Sequence, residues 1–506
     1  MTSVQGGTRL IAANRAVSHD LGTVPVSVLR RALRDTPRRI TLITAGLVVT
    51  ALALGFGYAS ALSRDSSSLH DLASRTAEVS ATSDLYYRLN DMDAQAANAL
   101  LVGFKPADPS MVPASVNAAA SDALYEKDRS AADADLEQIA ANPSLAKQAS
   151  SLLDALGSYE ATVAEALYID QNTANEQPAA PPAAALSLYM SASSLLHSTL
   201  LSEASAITAA DDAEVNASYA SNHSTITAFG YAILGLGLFA ALMLVLGNLF
   251  YARRFHRRLG FLALGTVVAL VLGVLGLTTQ SGAADRLQTA KQSAYDSIYA
   301  LDRALAVSDD ANGDESRWLL ENRSAALQSS FFQKVSEVVG IPSVTASQAA
   351  ADPGAYYQAL DSATGAVRLN TAANSVSGVA FGGYLGTELG NITFPGEGQA
   401  AVTATQDFAA YLQDDQKLRA DADSGNVTGA VALDIGLNSG QSNYDFNRYM
   451  TALESVVQIN TSSFEAAIAQ GENGTGASAW TQAAVGEALL LLFILQAAYF
   501  RLREYR

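Results

Sequence analysis

The 506-residue chain contains no cysteine, only two tryptophans and only five histidines. Without cysteine there is no disulfide to stabilise a small domain and no thiolate to bind zinc. The histidines are His19, His70, His197, His223 and His256, and we expect each to lie at the surface. No two of them have the four-residue spacing of a helical metal site. The sequence also lacks a phosphate-binding Gly-x-x-x-x-Gly-Lys loop, a Gly-x-Ser-x-Gly elbow and the set of kinase motifs. We therefore expect no enzyme, no metal and no cofactor.

Apolar residues make up 49% of the chain, and they are concentrated in four runs. These runs are 40–62, 226–251, 259–277 and 483–500. Each is close to the roughly 20 apolar residues that a helix needs to cross a bilayer with its backbone hydrogen bonds satisfied. The first run could instead be a cleaved signal peptide that ends near Ala59-Ser60-Ala61. It is longer than the roughly 7 to 15 residues of a signal core and a long tail precedes it, so we favour a membrane span.

The charges predict which side of the membrane each segment occupies. Residues 1–39, 252–258 and 501–506 together hold fourteen basic and three acidic residues. Residues 63–225 hold seven basic and 22 acidic residues, and residues 278–482 hold ten and 23. Lys and Arg near span ends favour the cytoplasm. We therefore expect a multi-pass plasma-membrane protein with both termini in the cytoplasm, where a basic tail (1–39), a basic link (252–258) and a short tail (501–506) face anionic lipid.

A weak internal repeat relates the two long segments outside the spans. Leu85-Tyr86 recurs as Ile298-Tyr299, an offset of 213, and Asp91-Met92-Asp93 recurs as Asp310-Ala311-Asn312, an offset of 219. Prolines divide 63–225 into four amphipathic helices near 63–103, 114–141, 144–175 and 183–224, with no break between the outer helices and the spans. The predicted fold is mainly α, with four transmembrane helices and two tandem extracytoplasmic four-helix-bundle-like sensor domains, 63–225 and 278–482. The second has Gly-rich inserts at 377–397 and 424–442, which are either plain exposed connections or functional loops.

Few residues stand out as candidate sites. The acidic cluster consists of Asp91 and Asp93 in the first segment and Asp309, Asp310 and Asn312 in the second. It could bind a cation or a basic partner, but we favour a solvated helix face. Arg317 and Trp318 would form a partner-binding anchor if exposed, and we favour a core position for Trp318.

Two further groups concern the membrane and the cytoplasm. Glu487 lies inside the fourth apolar run, where an ionisable group is costly, and it is a coupling candidate if it faces the other spans. The candidate cytoplasmic docking residues are Arg253, Arg254, Arg257, Arg258, Arg501, Arg503 and Arg506. No output domain fits in these short segments, so we expect any output to need a partner protein.

Three short segments and the duplicated layout resemble a known family. The segments are RRFHRR at 253–258, GNITFPGE at 390–397 and RLREYR at 501–506. With the repeated order of span, helical segment and span, they resemble the actinobacterial four-span proteins called GlnX. The resemblance implies a relay in which a lipoprotein that binds glutamate or aspartate engages the external segments. The signal then passes inward to a soluble Ser/Thr kinase, protein kinase G.

The sequence thus favours a non-enzymatic transmembrane sensor of an amino-acid signal. The Gly-rich insert, with Asn391, Phe394, Pro395, Gly396 and Glu397, is the first candidate for the lipoprotein contact. A structural or accessory envelope protein without a signalling role is the alternative. We expect no nucleic-acid partner, and association of the chain with copies of itself stays open. A transporter is disfavoured because four spans with almost no polar residues offer no midplane substrate site.

Overall fold

A computed structural model describes residues 36–106, 117–175, 177–256 and 259–505. The predicted basic tail up to residue 35, His19 within it, and the docking candidates Arg257, Arg258 and Arg506 lie outside the described residues. The helices of the first half are α1 (Thr36–Val102), α2 (Ala118–Ala140), α3 (Ala146–Asn172), α4 (Ala183–Leu195) and α5 (Leu201–Phe255), with a π-helical turn (Leu196–Leu200) between α4 and α5.

The second half is also mainly helical. Its elements are α6 (Gly260–Gln288), a π-helical segment (Thr289–Tyr295), α7 (Asp296–Leu320), α8 (Ala325–Val338), α9 (Ala346–Ala351), α10 (Pro353–Thr364), β1 (Arg368–Asn370), β2 (Ser375–Ser377), α11 (Gly383–Gly390), α12 (Glu397–Asp423), α13 (Val427–Asp434), α14 (Ser442–Thr475), α15 (Ala477–Leu502) and a 3-10 turn (Arg503–Tyr505). The two short strands pair antiparallel, with Leu369 opposite Val376.

Four helical stretches are long and apolar enough to cross a membrane. They are Thr36–Val102, Ala183–Phe255, Gly260–Leu320 and Ser442–Leu502. Each contains one predicted apolar run, except that the third run begins one residue before its helix, at Leu259. The expectation of four spanning helices is therefore confirmed at the level of length and composition. The expected absence of a break after the first span is also confirmed, because α1 is one helix of 67 residues.

The chain divides into two compact units. The spanning unit comprises residues 36–60, 231–277 and 480–505 of the part described. Within it, α5 and α6 approach closely at glycines, since a Cβ placed on Gly237 would lie 2.8 Å from the Cα of Gly273 and 2.9 Å from the carbonyl oxygen of Ala269. Small residues at such crossings let helix backbones pack closely within a bilayer.

Among the described residues, the helical unit comprises those within Ala61–Gly230 and Thr278–Ala479. The four helices predicted for 63–225 are present, as the end of α1, then α2, α3 and the run from α4 into α5. The two segments, however, share one compact unit where the sequence predicts two tandem bundles. The physical reason is a shared core: Trp318, Leu418 and Val431 of the second segment lie in the same apolar cluster as Leu85 and Tyr159 of the first.

Helices α1 and α7 contact each other through residues whose separation in the sequence is close to the offset of the repeat. Asn90 donates a hydrogen bond to the carbonyl oxygen of Ala306, 216 positions away, at 3.3 Å. Ser316 donates to the side chain of Asn98, 218 positions away, at 2.7 Å. Both separations lie between the offsets of 213 and 219 in the sequence. A duplicated unit that packs through the same face of each copy would produce such contacts; the duplication itself stays a prediction.

Candidate functional site

The predicted acidic cluster is largely buried. Every residue from Ala306 to Leu320 in α7 is buried, and so is Asp93 in α1, while Asp91 is half-buried. The expectation of a solvated helix face is therefore wrong for Asp93, Asp309, Asp310 and Asn312. The reason is that the joined segments surround α7 on every side.

Arg317 lies at the centre of this region. Its guanidinium is bound by the carboxylates of Asp93, Asp310 and Asp314, at 2.9 Å for Asp310 and 2.7 Å for Asp314. Lys334 of α8 binds Asp310 at 2.8 Å and Asp314 at 2.6 Å. Buried charges are tolerated when they are paired and hydrogen-bonded in this way. We call these five residues and the groups that bond to them the ionic network.

The first segment completes the network around Asp93. Tyr159 and Tyr189 each donate a hydrogen bond to its carboxylate at 3.2 Å, and Ser193 donates at 2.8 Å. His197, in the π-helical turn between α4 and α5, lies 3.0 Å from the Asp310 carboxylate through Nε2. His197 is thus partly at the surface, with its side chain 32% exposed, and partly bound to the network. Side chains from helices of both segments thus bind to one another within the ionic network.

The neighbouring basic groups keep Asp310 of the network ionised. Burial would raise the pKa of Asp310, but Lys334, the hydrogen bond to His197 and Arg317 together hold the pKa well below its ordinary value. Asp310 is thus a carboxylate, and the three carboxylates of the network face Arg317, Lys334 and the imidazole. Because its charges are paired with one another across both segments, the network is a structural joint.

A second buried cluster surrounds Arg419 of α12. Its guanidinium lies 4.6 Å from the ring centroids of Trp318 and Phe331 and binds Asp415 at 2.8 Å. Trp318 is 2% exposed and Arg317 3% exposed, so neither is an exposed anchor for a partner in this structure. The favoured core position of Trp318 agrees with the structure.

Beside the ionic network there is a cavity of about 410 Å³ between α1, α2, α7 and the segment from α13 into α14. We call it the acidic cavity. Its polar lining includes Asp91, Gln95, Asn98, Lys127, Asp309, Asn312, Asn443, Asn447 and Glu454. Its apolar lining includes Tyr87, Leu124, Ile435, Leu437, Phe446 and Met450. Both segments thus contribute to the walls.

Two carboxyl groups of the acidic cavity differ from those of the ionic network. Asp309 is 3% exposed, and its Oδ2 has no hydrogen-bond partner in the part of the chain described. Burial, together with Asp91, Asp310 and Asp128, raises its pKa well above the ordinary value. Burial and Asp128 raise the pKa of Asp91 to about 7. Asp91 and Asp309 are not bound by Arg317 or Lys334, whereas the neighbouring Asp310 and Asp314 are.

The segment GNITFPGE forms a tight turn before α12. Gly396 has a left-handed backbone (φ +88°), and the Glu397 carboxylate accepts hydrogen bonds from the backbone N–H groups of Thr393 at 2.6 Å and Phe394 at 2.8 Å. Asn391 donates to the Ser297 hydroxyl at 3.0 Å. Glu397 is buried while Thr393, Pro395 and Gly396 are exposed. Of the candidates here, Asn391 and Glu397 hold the turn, and Pro395 and Gly396 form its outer surface.

In the spanning unit Glu487 faces α1. A Cβ placed on Gly55 would lie 2.8 Å from the carboxyl carbon of Glu487, and both carboxyl oxygens are buried without a hydrogen-bond partner among the described residues. Glu487 therefore meets the condition set for a coupling candidate, a position between spans. Of the arginines, Arg253, Arg254 and Arg503 are exposed, whereas Arg501 is buried against Phe255 and binds Glu504 at 2.9 Å.

The sequence did not single out Lys334, His197, Tyr159, Tyr189 or Arg419. Each lies on a helix with ordinary amphipathic spacing, and nothing local shows that its polar end points inward. The sequence signal for these buried partners was the run from Ser308 to Arg317, in which eight of ten residues are Asp, Glu, Asn, Ser or Arg between apolar stretches. Such a run on a helix that other helices enclose requires buried partners.

Residues 68–220 match a family model described as an actinobacterial sensor domain. The match runs from within α1 to within α5 and so contains Asp91, Asp93 and His197, while Asp309 and Arg317 lie outside it. No curated protein and no solved structure matches the chain. The match indicates a sensing role, and the four apolar helices indicate a multi-pass membrane protein.

Proposed function

We propose that this chain is a non-enzymatic transmembrane sensor. It couples an extracytoplasmic glutamate or aspartate signal, received through a solute-binding lipoprotein, to a cytoplasmic Ser/Thr kinase. The observation that carries the proposal is the sensor-domain match at residues 68–220, on helices that also contain membrane spans. Helix α1 runs from the first span into the matched region without a break, which gives a displacement in that region a direct route along the helix.

The charge distribution supports the proposed orientation. The strongly acidic segments lie in the helical unit, and the basic residues Arg253, Arg254 and Arg503 lie exposed at the ends of α5 and α15. Basic residues at span ends favour the cytoplasmic side. These short basic surfaces are the proposed contact for the kinase, which supplies the catalysis that the chain lacks.

The turn at residues 393–396 is the proposed contact for the lipoprotein. Its outer residues are exposed, while hydrogen bonds to Glu397 fix its backbone. A fixed, exposed turn binds a partner with little loss of conformational entropy. The partner class is an expectation from the family resemblance.

The two contacts can be tested separately by co-purification in mild detergent. We expect the native chain to retain both a solute-binding lipoprotein and a kinase. Pro395→Arg should reduce only the lipoprotein, at least about tenfold, and Arg253→Glu with Arg254→Glu should reduce only the kinase. Gln406→Arg, at an exposed position on α12, is the matched control and should retain both.

The relay is overturned if the variants retain both partners, or if the native preparation contains neither of them. A second readout follows the cell's phosphorylation response to added glutamate. If deletion of the chain and the variant Glu487→Gln both leave that response unchanged, a structural envelope protein becomes the better explanation.

A further inference from the structure

The acidic cavity has an unpaired buried carboxyl at its wall. Asp309 is 3% exposed and lines the cavity, and its Oδ2 accepts no hydrogen bond from any residue that the structure describes. The next acidic residues of α7 differ, because Asp310 and Asp314 are bound by Arg317 and Lys334. A buried polar group without a partner is costly, so a partner from outside the chain would stabilise it.

The charge of the lining favours a cation. Asp91, Asp309 and Glu454 line the cavity against the single basic side chain of Lys127. Asp128, which lies near Asp91, is already bound to Arg88 at 3.2 Å. The balance at the cavity wall is therefore negative by two when its carboxyls are ionised.

The remaining lining indicates an organic cation. The side-chain amides of Asn98, Asn312 and Asn443 offer further polar contacts, and Leu124, Phe446 and Met450 among others supply apolar walls. A volume of about 410 Å³ suits a small molecule, for which mixed linings with a few polar groups are typical. Among the described residues no group of three or more His, Cys, Asp and Glu side chains is placed to hold a metal ion.

We propose that the acidic cavity binds a small organic cation through a primary ammonium or guanidinium group that contacts Asp309 and Asp91. This inference rests on the proposed sensing function for its biological purpose, because it assigns a ligand that the chain binds directly. Since α1 and α2 of the first segment and α7 and α14 of the second all line the cavity, bound ligand joins the two segments. Ligand that binds the joined state stabilises it by mass action.

The test measures binding to the purified full chain in detergent, without lipoprotein or kinase. The probes are putrescine, agmatine and arginine by calorimetry and thermal shift, with glutamate and magnesium chloride as controls at equal ionic strength. We expect at least one of the three cations to bind with a sub-millimolar Kd and to raise the melting temperature. Neither control compound should do so.

Three variants make the result specific. Asp309→Asn keeps the shape of the side chain and should weaken binding at least about tenfold. Asn447→Trp places a large side chain in the cavity from an exposed position and should also weaken binding, with the carboxyls intact. Asp154→Asn, an exposed carboxylate on α3, is the matched control and should bind as the native chain does.

The proposal is overturned if none of the three cations binds up to 10 mM, if magnesium binds as well as they do, or if Asp309→Asn and Asn447→Trp bind normally. Failure of the relay gives a different result. A chain that binds a cation but retains neither the lipoprotein nor the kinase upholds the ligand site and overturns the proposed relay.

Discussion

Arg317 is the residue on which the joint between the two segments most depends. It binds Asp93 of the first segment and Asp310 and Asp314 of its own helix, all with almost no exposure. Removal of one partner from a buried ionic network leaves uncompensated charges in a medium that solvates them poorly. The side chain thus stabilises the folded state mainly because its loss would leave Asp93 without a cation, and Asp310 and Asp314 with Lys334 as their remaining basic partner.

Arg317→Met should lower the free energy of unfolding by about 3 to 5 kcal/mol. Arg129→Met is the matched control, because Arg129 binds Glu126 at 2.9 Å on the surface of α2 and such pairs contribute about 0 to 1 kcal/mol. Thermal unfolding of both variants in the same detergent measures the difference. Equal melting temperatures would show that the network does not stabilise the joint.

Glu388 predicts a dependence of stability on pH. It is fully buried, and burial and the neighbouring Glu397 raise its pKa to about 8 from an ordinary value of 4.5. Between these values the folded state holds a proton that the unfolded state has released, so this group makes the fold less stable as the pH rises through the window. Below about pH 4.5 the effect is absent.

Glu388→Gln should therefore lessen the loss of stability between pH 5 and 8, by up to about 1.4 kcal/mol per pH unit. Unfolding midpoints at pH 5, 6.5 and 8 measure the slope. Glu465→Gln, at an exposed position on α14, should leave the slope unchanged. Parallel curves for the native chain and Glu388→Gln would contradict a raised pKa.

The sequence predicts which acidic residues form the site, but it does not predict that they are buried. Asp91, Asp93, Asp310 and Asn312 were paired by the repeat, and they lie on the two helices that meet in the structure. Their burial could not be predicted, because a polar run looks the same on a solvated face and on a helix that other helices enclose. Lys334 lies on α8 and approaches Asp310 through tertiary packing alone.

At the scale of elements, the helix ends follow from local chemistry. Asn117 caps α2 by accepting a hydrogen bond from the N–H of Ala120 at 2.9 Å, and the prolines near residues 106 and 182 separate helices where the sequence predicts breaks. The Gly-rich insert was less predictable. Leu385 and Glu388 are buried in α11, so the interpretation of 377–397 as a plain exposed connection is wrong for this part.

The close contact of α5 and α6 gives a prediction for the spanning unit. Gly237→Val should prevent the close approach to Gly273 and reduce the yield of monodisperse protein, because the added Cβ would overlap backbone atoms. Gly235→Val, two residues earlier with nothing within 4 Å of an added Cβ, is the control. Equal yields and melting temperatures would contradict the helix contact.

At the scale of the whole molecule, the two polar segments are one unit. The matched sensor domain ends at residue 220, yet its core includes Trp318, Leu418 and Val431 of the second segment. The sequence suggested two tandem domains because each helical segment lies between two spans and a weak repeat relates the two segments. Nothing in the spacing of apolar residues shows that the two segments complete one core.

Residues 61–230 expressed alone should therefore fail to give a cooperative thermal transition, because the fragment lacks Arg317 and part of its core. Addition of residues 278–479 on a second chain should restore the transition. Circular dichroism during heating measures both. A cooperative transition of the first fragment alone would show that the segments fold independently.

We propose that the helical unit senses on one side of the membrane while the termini act on the other. The chain has no cysteine, so single cysteines can be placed and labelled in intact cells without background. Gln399→Cys, exposed on α12, should react with a membrane-impermeant maleimide, and Glu504→Cys should react only after the membrane is permeabilised. Labelling of both sites in intact cells, or of Glu504→Cys alone, would contradict the account.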